Sequence, residues 1–458
     1  MITIMRISDF KLNFKQTFYL AYPVMLSQLG QVLVGVADSM MVGRLGAEPL
    51  AAASLGNSIF FVVLMFGIGV SMAITPLVAM ADGEKRQKRI SRLFQHGFLI
   101  NMAVGILLTL LIILFSPLLH YMNQPQEVVV LALPYLLIIT LSLLPFMVFQ
   151  TFRQFAEGLS QTKQAMFITI FCNLINVFLN WLLIYGNWGF PEMGLNGAGW
   201  ATLISRVLMG IVMGYYVLKA KRFKHFKIRF NFKGISFPML SKMIRIGVPT
   251  GFQYIFEVSA FSSAAIMMGW IGVNALAAHQ IAINLASISY MMASGLSAAA
   301  MVRVGNQLGR KSIQGLRQAG FTAFIMVALF MSISAILFIT FKNFLPSLYI
   351  DDPEVIAMTA SLLIIAALFQ LSDGVQVVGL GALRGMADVK MPTLITLVAY
   401  WVVGLPLGYA LGFWFDFGAA GIWYGLLIGL TITGLLLLSR FHVLSRRKFQ
   451  TLKPANAV

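Results

Sequence analysis

The sequence has few charged residues and only one cysteine. Lys, Arg, Asp and Glu make up 10% of its 458 residues, 59% are hydrophobic, and the mean hydropathy is +0.85. A soluble protein of this length could not cover its surface with so few charges. The single cysteine, Cys172, excludes an intramolecular disulfide and argues against a metal cluster.

Several sequence signatures are also missing. There is no G-x-x-x-x-G-K-[ST] loop for ATP, no His-rich metal motif and no nucleophile elbow. The N-terminus shows no cleavable signal peptide, because no small-residue cleavage site follows a short apolar core. We therefore expect a protein that is not an enzyme, has no catalytic residues, needs no cofactor and does not itself bind ATP.

Long apolar stretches are abundant. Each reaches about 20 residues, enough to cross a ~30 Å hydrocarbon core as a helix. Twelve are found, at 16–41, 50–80, 94–117, 127–150, 164–186, 195–218, 242–269, 275–302, 316–341, 354–381, 391–413 and 417–440. A membrane β-barrel needs short alternating segments instead. The sequence thus predicts an all-α membrane protein with twelve transmembrane helices.

The positive charges lie unevenly around these spans. If the N-terminus is cytoplasmic, 30 of the 33 Lys and Arg residues fall in cytoplasmic segments. By the positive-inside rule, both termini are then cytoplasmic in a multi-pass protein. The longest basic stretch, 219–234, mixes cations with aromatics. We interpret it as a connector on the anionic inner leaflet, and we expect no nucleic-acid partner.

An internal repeat divides the chain into two halves. A shift of 226 residues aligns Pro23 with Pro249, and the same register aligns Gly69 with Gly295. Each half supplies six helices and, since six is even, both enter the membrane from the same side. We predict two six-helix lobes related by a pseudo-two-fold axis along the membrane normal, a geometry suited to alternating access.

The repeat and the charges together suggest the domain boundaries. The predicted segments are an N-lobe at 1–218, a basic cytoplasmic connector at 219–241, a C-lobe at 242–440 and a cytoplasmic tail at 441–458.

In the first half, one acidic residue interrupts an apolar helix. Asp38 can meet a polar stripe on the fifth helix, where Asn173, Asn176 and Asn180 lie at i, i+3 and i+7. Thr202 on the sixth helix has a similar depth. Oxygen ligands of these kinds suit a hard monovalent cation, and a carboxyl group can alternatively carry a proton. The structural alternative is that these residues only join helices by hydrogen bonds.

In the second half, two acids lie within predicted spans. Gln253, Tyr254 and Glu257 cluster on the seventh helix, and Asp373 and Gln376 lie within one turn on the tenth. Two carboxylates from different helices could coordinate a cation or attract a cationic substrate. A purely structural pairing with polar neighbours is again the alternative.

Two basic residues inside spans leave their roles open. Arg206 could neutralise a carboxylate or reach a polar cavity. His279 is expected to form a helix–helix contact. Neither residue by itself indicates a catalytic or metal site.

Five motifs resemble hallmarks of the MATE (multidrug and toxic compound extrusion) family, especially its NorM-like branch. They are DSMMVGRLG (38–46), PLAAASLGNS (49–58), GLNGAGWATLISR (194–206), NALAAHQIA (274–282) and GAAGIWYG (418–425). The similarity covers essentially the whole chain. It implies twelve helices in two lobes that export organic cations and other drugs in exchange for Na⁺ or H⁺. We expect a monomer in the bacterial inner membrane, with drugs and membrane lipids as its partners.

The resemblance also implies two sites. The N-lobe cation or proton site, which would hold Na⁺ in a Na⁺-coupled protein, maps to Asp38, Asn176, Asn180 and Thr202. The acidic pair of a C-lobe cation site maps to Glu257 and Asp373. With Tyr254 and Gln253, which cluster with Glu257 on the seventh helix, this pair makes up the predicted C-lobe cation or substrate site. The chain departs from some NorM-like relatives at Phe369, where they carry a tyrosine.

The expected function is therefore multidrug antiport. Three alternative functions or families agree less well with the sequence. A lipid or glycan-lipid flippase shares the two-lobe architecture, but its cavity is expected to be rich in cations that bind phosphate headgroups. A channel or receptor is disfavoured by the repeat with acids near the membrane centre. Major facilitator transporters also have parallel halves, but the loop ADGEKRQKRISR lacks their G-x-x-x-D-R pattern.

Overall fold

The computed structural model describes residues 7–121, 124–226 and 234–452. These residues are helical apart from short connections, and no strand occurs among them. Within these ranges, twelve helices are long and apolar enough to span a membrane. We label them α1–α12, in order Phe10–Gly43, Ala47–Gly83, Gln87–Tyr121, Gln126–Gly158, Thr162–Tyr185, Gly194–Lys219, Phe237–Ile271, Val273–Gly309, Ile313–Thr340, Pro353–Gly385, Lys390–Trp414 and Gly418–Arg447.

The prediction of an all-α protein with twelve spanning helices is confirmed. Each apolar stretch lies within one helix or overruns it by a single residue. Several helices continue past the apolar stretch, because helical turns near charged loops need no apolar side chains. The fourth, for example, continues from the predicted end at 150 to Gly158. Residues 227–233 of the predicted connector lie outside the described residues.

Four of the spans are not regular α-helices throughout. The third ends in a 3-10 helix, Ser116–Tyr121. The second consists of Ala47–Ser71 and Ile74–Gly83, and the fourth of Gln126–Leu141 and Leu143–Gly158. The eleventh has two π-helical segments, of which Val398–Gly404 carries Tyr400. Because π-helical turns are costly and often occur at functional sites, this segment is relevant to the site described below.

The helices form two compact units. One comprises Leu26–Gly251; the other comprises Met1–Met25 and Phe252–Val458. The division cuts α1 after Met25 and α7 after Gly251, two positions separated by the 226 residues of the repeat. The predicted lobes, by contrast, assign α1 and α7 whole. Each cut follows a proline by two residues, and a proline removes one backbone hydrogen bond from a helix.

Glycines permit an equivalent helix crossing within each unit. A Cβ built on Gly69 of α2 would lie 2.5 Å from the Cα of Gly251 in α7. In the other unit, a Cβ on Gly295 of α8 would lie 2.4 Å from the Cγ of Met25 in α1. Both pairs are related by the 226-residue shift, so the repeat is present in packing as well as in sequence. Small residues allow helices in membranes to approach this closely.

The helix packing buries the polar residues singled out above. In the unit that contains Phe252–Val458, α10 packs against α8, α9 and α12. Its residues Asp373 and Gln376 are consequently buried. In the other unit, α6 packs against α4 and α5, and Asn176 and Asn180 of α5 are buried.

Candidate ion and substrate sites

The first-half site is centred on Asp38, near the end of α1. The Nδ2 of Asn180 donates a hydrogen bond to Oδ1 of Asp38. The same nitrogen is 3.5 Å from Oδ1 of Asn176, one turn earlier on α5. The structure therefore brings together three of the four residues predicted for this site.

One atom of this site lacks a partner. The Oδ1 of Asn180 is buried and accepts no hydrogen bond from any residue that the structure describes. A buried acceptor without a donor costs about 1–3 kcal/mol. Amide oxygens beside a carboxylate are the donor chemistry that a hard cation prefers. The residues present thus fit a monovalent cation, and the Asp38 carboxyl also fits a proton.

The fourth predicted residue, Thr202, is not joined to the others. It is half-buried on α6, and within the described part of the chain no hydrogen bond links its hydroxyl to Asp38, Asn176 or Asn180. Asn173, which completes the predicted stripe, is buried and its Nδ2 has no acceptor there. Of the three stripe residues, Asn180 contacts Asp38 and Asn176 lies beside Asn180, whereas no hydrogen bond within the described residues joins Asn173 to them.

The structure answers the question left open for Arg206. Its guanidinium lies 4.9 Å from the ring centre of Phe60 and 5.0 Å from that of Phe146, and Nη1 donates to Oγ of Ser142 at 2.8 Å. No carboxylate among the described residues lies within salt-bridge distance of it. Its charge nevertheless acts on Asp38. The cation is thus held by aromatic faces and a hydroxyl rather than by an acid.

Two polar residues near Asp38 were not assigned a role from the sequence. Tyr135 of α4 donates its hydroxyl hydrogen to Oδ1 of Asn57 on α2, at 3.1 Å. The charges of Asp38 and Arg206 act on this hydroxyl. Asn57 lies in one of the family motifs, but an isolated polar residue in an apolar span gives no sign of which helix it faces.

The second-half site contains a chain of hydrogen bonds that starts at Tyr400. Its hydroxyl donates to Oε1 of Gln376 at 3.0 Å, and Nε2 of Gln376 donates to Oε1 of Glu257 at 2.9 Å. All three side chains are buried. Because the hydroxyl holds the amide oxygen, the amide nitrogen is presented to the carboxylate. The sequence indicated Glu257 and Gln376 but missed Tyr400, an aromatic residue in an apolar π-helical segment.

The second acid of this site, Asp373, is buried one turn before Gln376. It receives no hydrogen bond from any described residue, and the negative charge of Glu257 acts on it. Both amide atoms of neighbouring Gln370 are also buried without partners. Two carboxylates and an unsatisfied amide are groups that a bound cation would stabilise.

Arg384 adds a positive charge to this cluster. Its Nη2 donates to Oε1 of Gln253 at 3.0 Å, its guanidinium lies 5.2 Å from the ring centre of Tyr254, and its charge acts on Glu257. Arg384 was not singled out from the sequence, because helical position alone does not show where a long side chain reaches. All four predicted C-lobe residues thus belong to one buried neighbourhood.

His279 forms a helix–helix contact, as expected. Nε1 of Trp423 on α12 donates to its Nδ1 at 3.2 Å. The same indole stacks on Phe369, with ring centres 5.4 Å apart. Phe369, the residue at which the chain departs from some NorM-like relatives, therefore belongs to an aromatic stack.

The chain was compared with known proteins. The MatE family model matches residues 23–182 and 249–410. The probable multidrug resistance protein NorM of Mesorhizobium japonicum is 36% identical over 434 residues, which cover 93% of each chain. The multidrug resistance protein MdtK of Yersinia pseudotuberculosis is 35% identical over 434 residues, 93% of this chain and 95% of its own.

The fold has counterparts among solved structures. The crystal structure of the eukaryotic MATE transporter AtDTX14 superposes with a TM-score of 0.85, covering 97% of this chain and 100% of that one at 22% identity. This likeness shows the fold, and the matched family model and relatives show the family. The two segments matched by the family model begin 226 residues apart, as the repeat requires. The chain belongs to the MATE family of transporters.

Proposed function

We propose that this chain is a secondary antiporter that exports amphipathic drugs, mainly organic cations, in exchange for inward Na⁺ or H⁺. Membership of the MATE family makes it a transporter and not an enzyme. The multidrug resistance names of its relatives support drug efflux. The uneven distribution of Lys and Arg supports cytoplasmic termini, and the bacterial relatives support an inner-membrane location. A monomer satisfies the proposal, since each half brings its own polar site.

The main observation in support of ion exchange is the hydrogen bond between Asn180 and Asp38. In the first half the charges of Asp38 and Arg206 cancel when the carboxyl is ionised. An incoming Na⁺ or proton therefore leaves the Asp38–Arg206 pair with one net positive charge. The buried Oδ1 of Asn180 offers Na⁺ a ready ligand, whereas a proton needs only a carboxylate oxygen.

The second half supplies the charge for a cationic substrate. Glu257 and Asp373 are offset by Arg384, so the cluster carries about one net negative charge when both acids are ionised. A monovalent organic cation would neutralise it, and the half-buried Tyr254 offers aromatic surface to an amphipathic molecule. In the proposed cycle, loading of the first half with a positive ion accompanies release of the organic cation from the second half.

The driving force is sufficient for useful export. One elementary charge moving through 100 mV supplies about 2.3 kcal/mol, a factor of roughly fifty in an equilibrium. A chemical gradient of the same ion adds to this. One ion per exported molecule therefore suffices against a moderate drug gradient.

The proposal is tested by transport in proteoliposomes. Purified protein is reconstituted, a fluorescent organic cation is added, and a pH gradient and a Na⁺ gradient are imposed separately. We expect one gradient to drive cation flux in the wild type and Asp38→Asn to lose that response. The proposal is contradicted if neither gradient drives cation flux in the wild type. It is also contradicted if Asp38→Asn, reconstituted at an equal level, shows the same flux as the wild type.

A further inference from the structure

A basic cluster lies where the start of α9 meets the end of α12, remote in sequence from the ion and substrate sites. We propose that Arg317, His442 and Arg446, together called the headgroup cluster, bind the phosphate of an anionic phospholipid. By the positive-inside rule these residues face the cytoplasmic leaflet, which carries such lipids. The inference does not depend on the proposed drug efflux.

The three side chains converge through defined contacts. The Nη1 of Arg317 donates to Oγ of Ser445 at 2.7 Å and is 3.5 Å from the carbonyl oxygen of His442. The ring of Phe321 lies 5.2 Å from the guanidinium of Arg317 and 6.0 Å from the imidazole of His442. Arg446 follows His442 by one turn of α12, and its charge acts on both other members.

The cluster has no acidic partner among the residues that the structure describes. Across the described ranges, the carboxylates within salt-bridge distance of an arginine are Glu84, Glu157 and Asp388, and none of them pairs with Arg317 or Arg446. Both contacts of Arg317 use Nη1, so Nε and Nη2 keep donors for an anion. Like charges held together repel, and a phosphate would relieve the repulsion with charge-assisted hydrogen bonds.

A nearby arginine shows the contrast. Arg440, also on α12, donates from Nε and Nη2 to the two carboxylate oxygens of Asp388, at 2.6 and 3.0 Å. An acid of the protein thus neutralises the charge of Arg440. The charges of Arg317 and Arg446 are not neutralised in this way and are available to an external anion. Arg446 is exposed, so an anion can reach it.

An apolar stripe continues from the cluster along α9. Phe321, Ile325 and Leu329 follow Arg317 at four-residue intervals and so share one helix face. Ile325 and Leu329 are 44% and 56% exposed. From Arg317 to Leu329 the helix rises by about 18 Å, close to the ~15 Å depth of one leaflet's hydrocarbon. A phosphate at the cluster therefore leaves its acyl chain alongside apolar side chains, which favours a phospholipid over free phosphate.

Native mass spectrometry of the full-length protein in neutral detergent tests the inference. Phosphatidylglycerol and phosphatidylcholine with identical acyl chains are titrated, and thermal unfolding is followed with each lipid and with inorganic phosphate. We expect phosphatidylglycerol to bind more tightly, and Arg317→Gln and Arg446→Gln each to weaken it about fivefold, since each basic residue near such a surface contributes about 1 kcal/mol. Arg446→Lys should retain most of the preference.

The control is Lys390→Gln, which removes one exposed charge at the start of α11 in the same unit and should leave the lipid preference unchanged. The inference is overturned if Arg317→Gln and Arg446→Gln keep the wild-type preference while folded, or if Lys390→Gln lowers it equally. Stabilisation by inorganic phosphate equal to that by phosphatidylglycerol would also overturn it, because the occupant would then be free phosphate.

Discussion

Asn180 donates a hydrogen bond to Asp38 while its own carbonyl oxygen lies buried without a partner. The two ends of one amide thus have opposite roles: the nitrogen fixes the carboxylate and the oxygen stays available. A side chain that served only to join α1 and α5 would gain most by satisfying both ends. The unsatisfied oxygen therefore favours an ion-binding role over a purely structural one.

Replacing Asn180 by Leu should weaken the binding of the driving ion. The substitution removes the bond to Asp38 and the free oxygen at nearly constant volume, and a hydrogen bond to a charged group contributes about 1.5–3 kcal/mol. We expect the ion concentration for half-maximal exchange to rise at least tenfold in proteoliposomes. Thr202→Val should change it less than about twofold, since Thr202 makes no bond to the pair. Equal effects of the two variants would show that Thr202 is a ligand after all.

Replacing Asp38 by Asn should abolish ion-driven efflux without unfolding the protein. The amide keeps the shape of the side chain but can neither carry a proton nor neutralise a cation. Drug accumulation in cells is expected to rise to the level of cells without the transporter. Asp416→Asn makes the same chemical change at an exposed position with φ 56°, a conformation that asparagine tolerates well, so it should export normally. Wild-type resistance in cells that express Asp38→Asn at equal levels would make Asp38 structural.

The fold was predictable from the sequence because its determinants are long-range averages. Apolar length defines each span, and the 226-residue shift shows the repeat without knowledge of any contact. The division of α1 at Met25 was not predictable in the same way. It depends on which neighbours each half of a continuous apolar helix contacts, and hydropathy carries no information on that.

The candidate sites were predictable only in part. An acid such as Asp373 is visible because a charge inside a span is costly. Tyr400 and Tyr135 cannot be recognised in this way, because tyrosine is common in apolar spans. Only the residue that its hydroxyl group contacts reveals a role. Arg384 was missed for another reason: its backbone lies near a helix end, but its side chain reaches Gln253.

Tyr400→Phe should weaken the binding of organic cations through Glu257. Without the hydroxyl, the amide of Gln376 is free to turn and present its oxygen to the carboxylate. A net hydrogen bond contributes about 0.5–1.5 kcal/mol, so we expect up to about a tenfold loss of affinity in equilibrium binding of a fluorescent cation. Glu257→Gln should cost more, and adding Tyr400→Phe to it should cost little further. Full additivity would show that Tyr400 acts independently of Glu257.

Arg206→Lys should destabilise the protein although the charge is kept. An ammonium lacks the planar face of the guanidinium, which lies 4.9 and 5.0 Å from the ring centres of Phe60 and Phe146. Each cation–π contact contributes about 0.5–2 kcal/mol. Thermal unfolding in detergent should therefore show a lower midpoint for Arg206→Lys than for Ser142→Ala, which removes only a hydrogen bond. The opposite order would mean that the hydroxyl, not the rings, holds the cation.

Gly69→Ala and Gly295→Ala should both destabilise the protein, with the larger loss at Gly69. The added methyl group at Gly69 meets only backbone atoms, of Gly251 and Thr250 at 2.5–2.8 Å, which cannot move without shifting α7. At Gly295 the nearest atom, the Cγ of Met25 at 2.4 Å, belongs to a side chain, and the nearest backbone atoms, the N of Met25 and the O of Ala21, lie at 2.9 and 3.0 Å, farther than those at Gly69. Overpacking of this kind costs about 1–3 kcal/mol.

Gly269→Ala provides the control for both, because a Cβ there has its nearest neighbour at 3.9 Å and alanine favours a helix by up to about 1 kcal/mol. Its unfolding midpoint should equal or exceed that of the wild type. If Gly69→Ala is as stable as Gly269→Ala, the first half of α7 does not pack tightly on α2. The equivalent crossings of the two repeats would then not explain why the compact units divide α1 and α7 at matching positions.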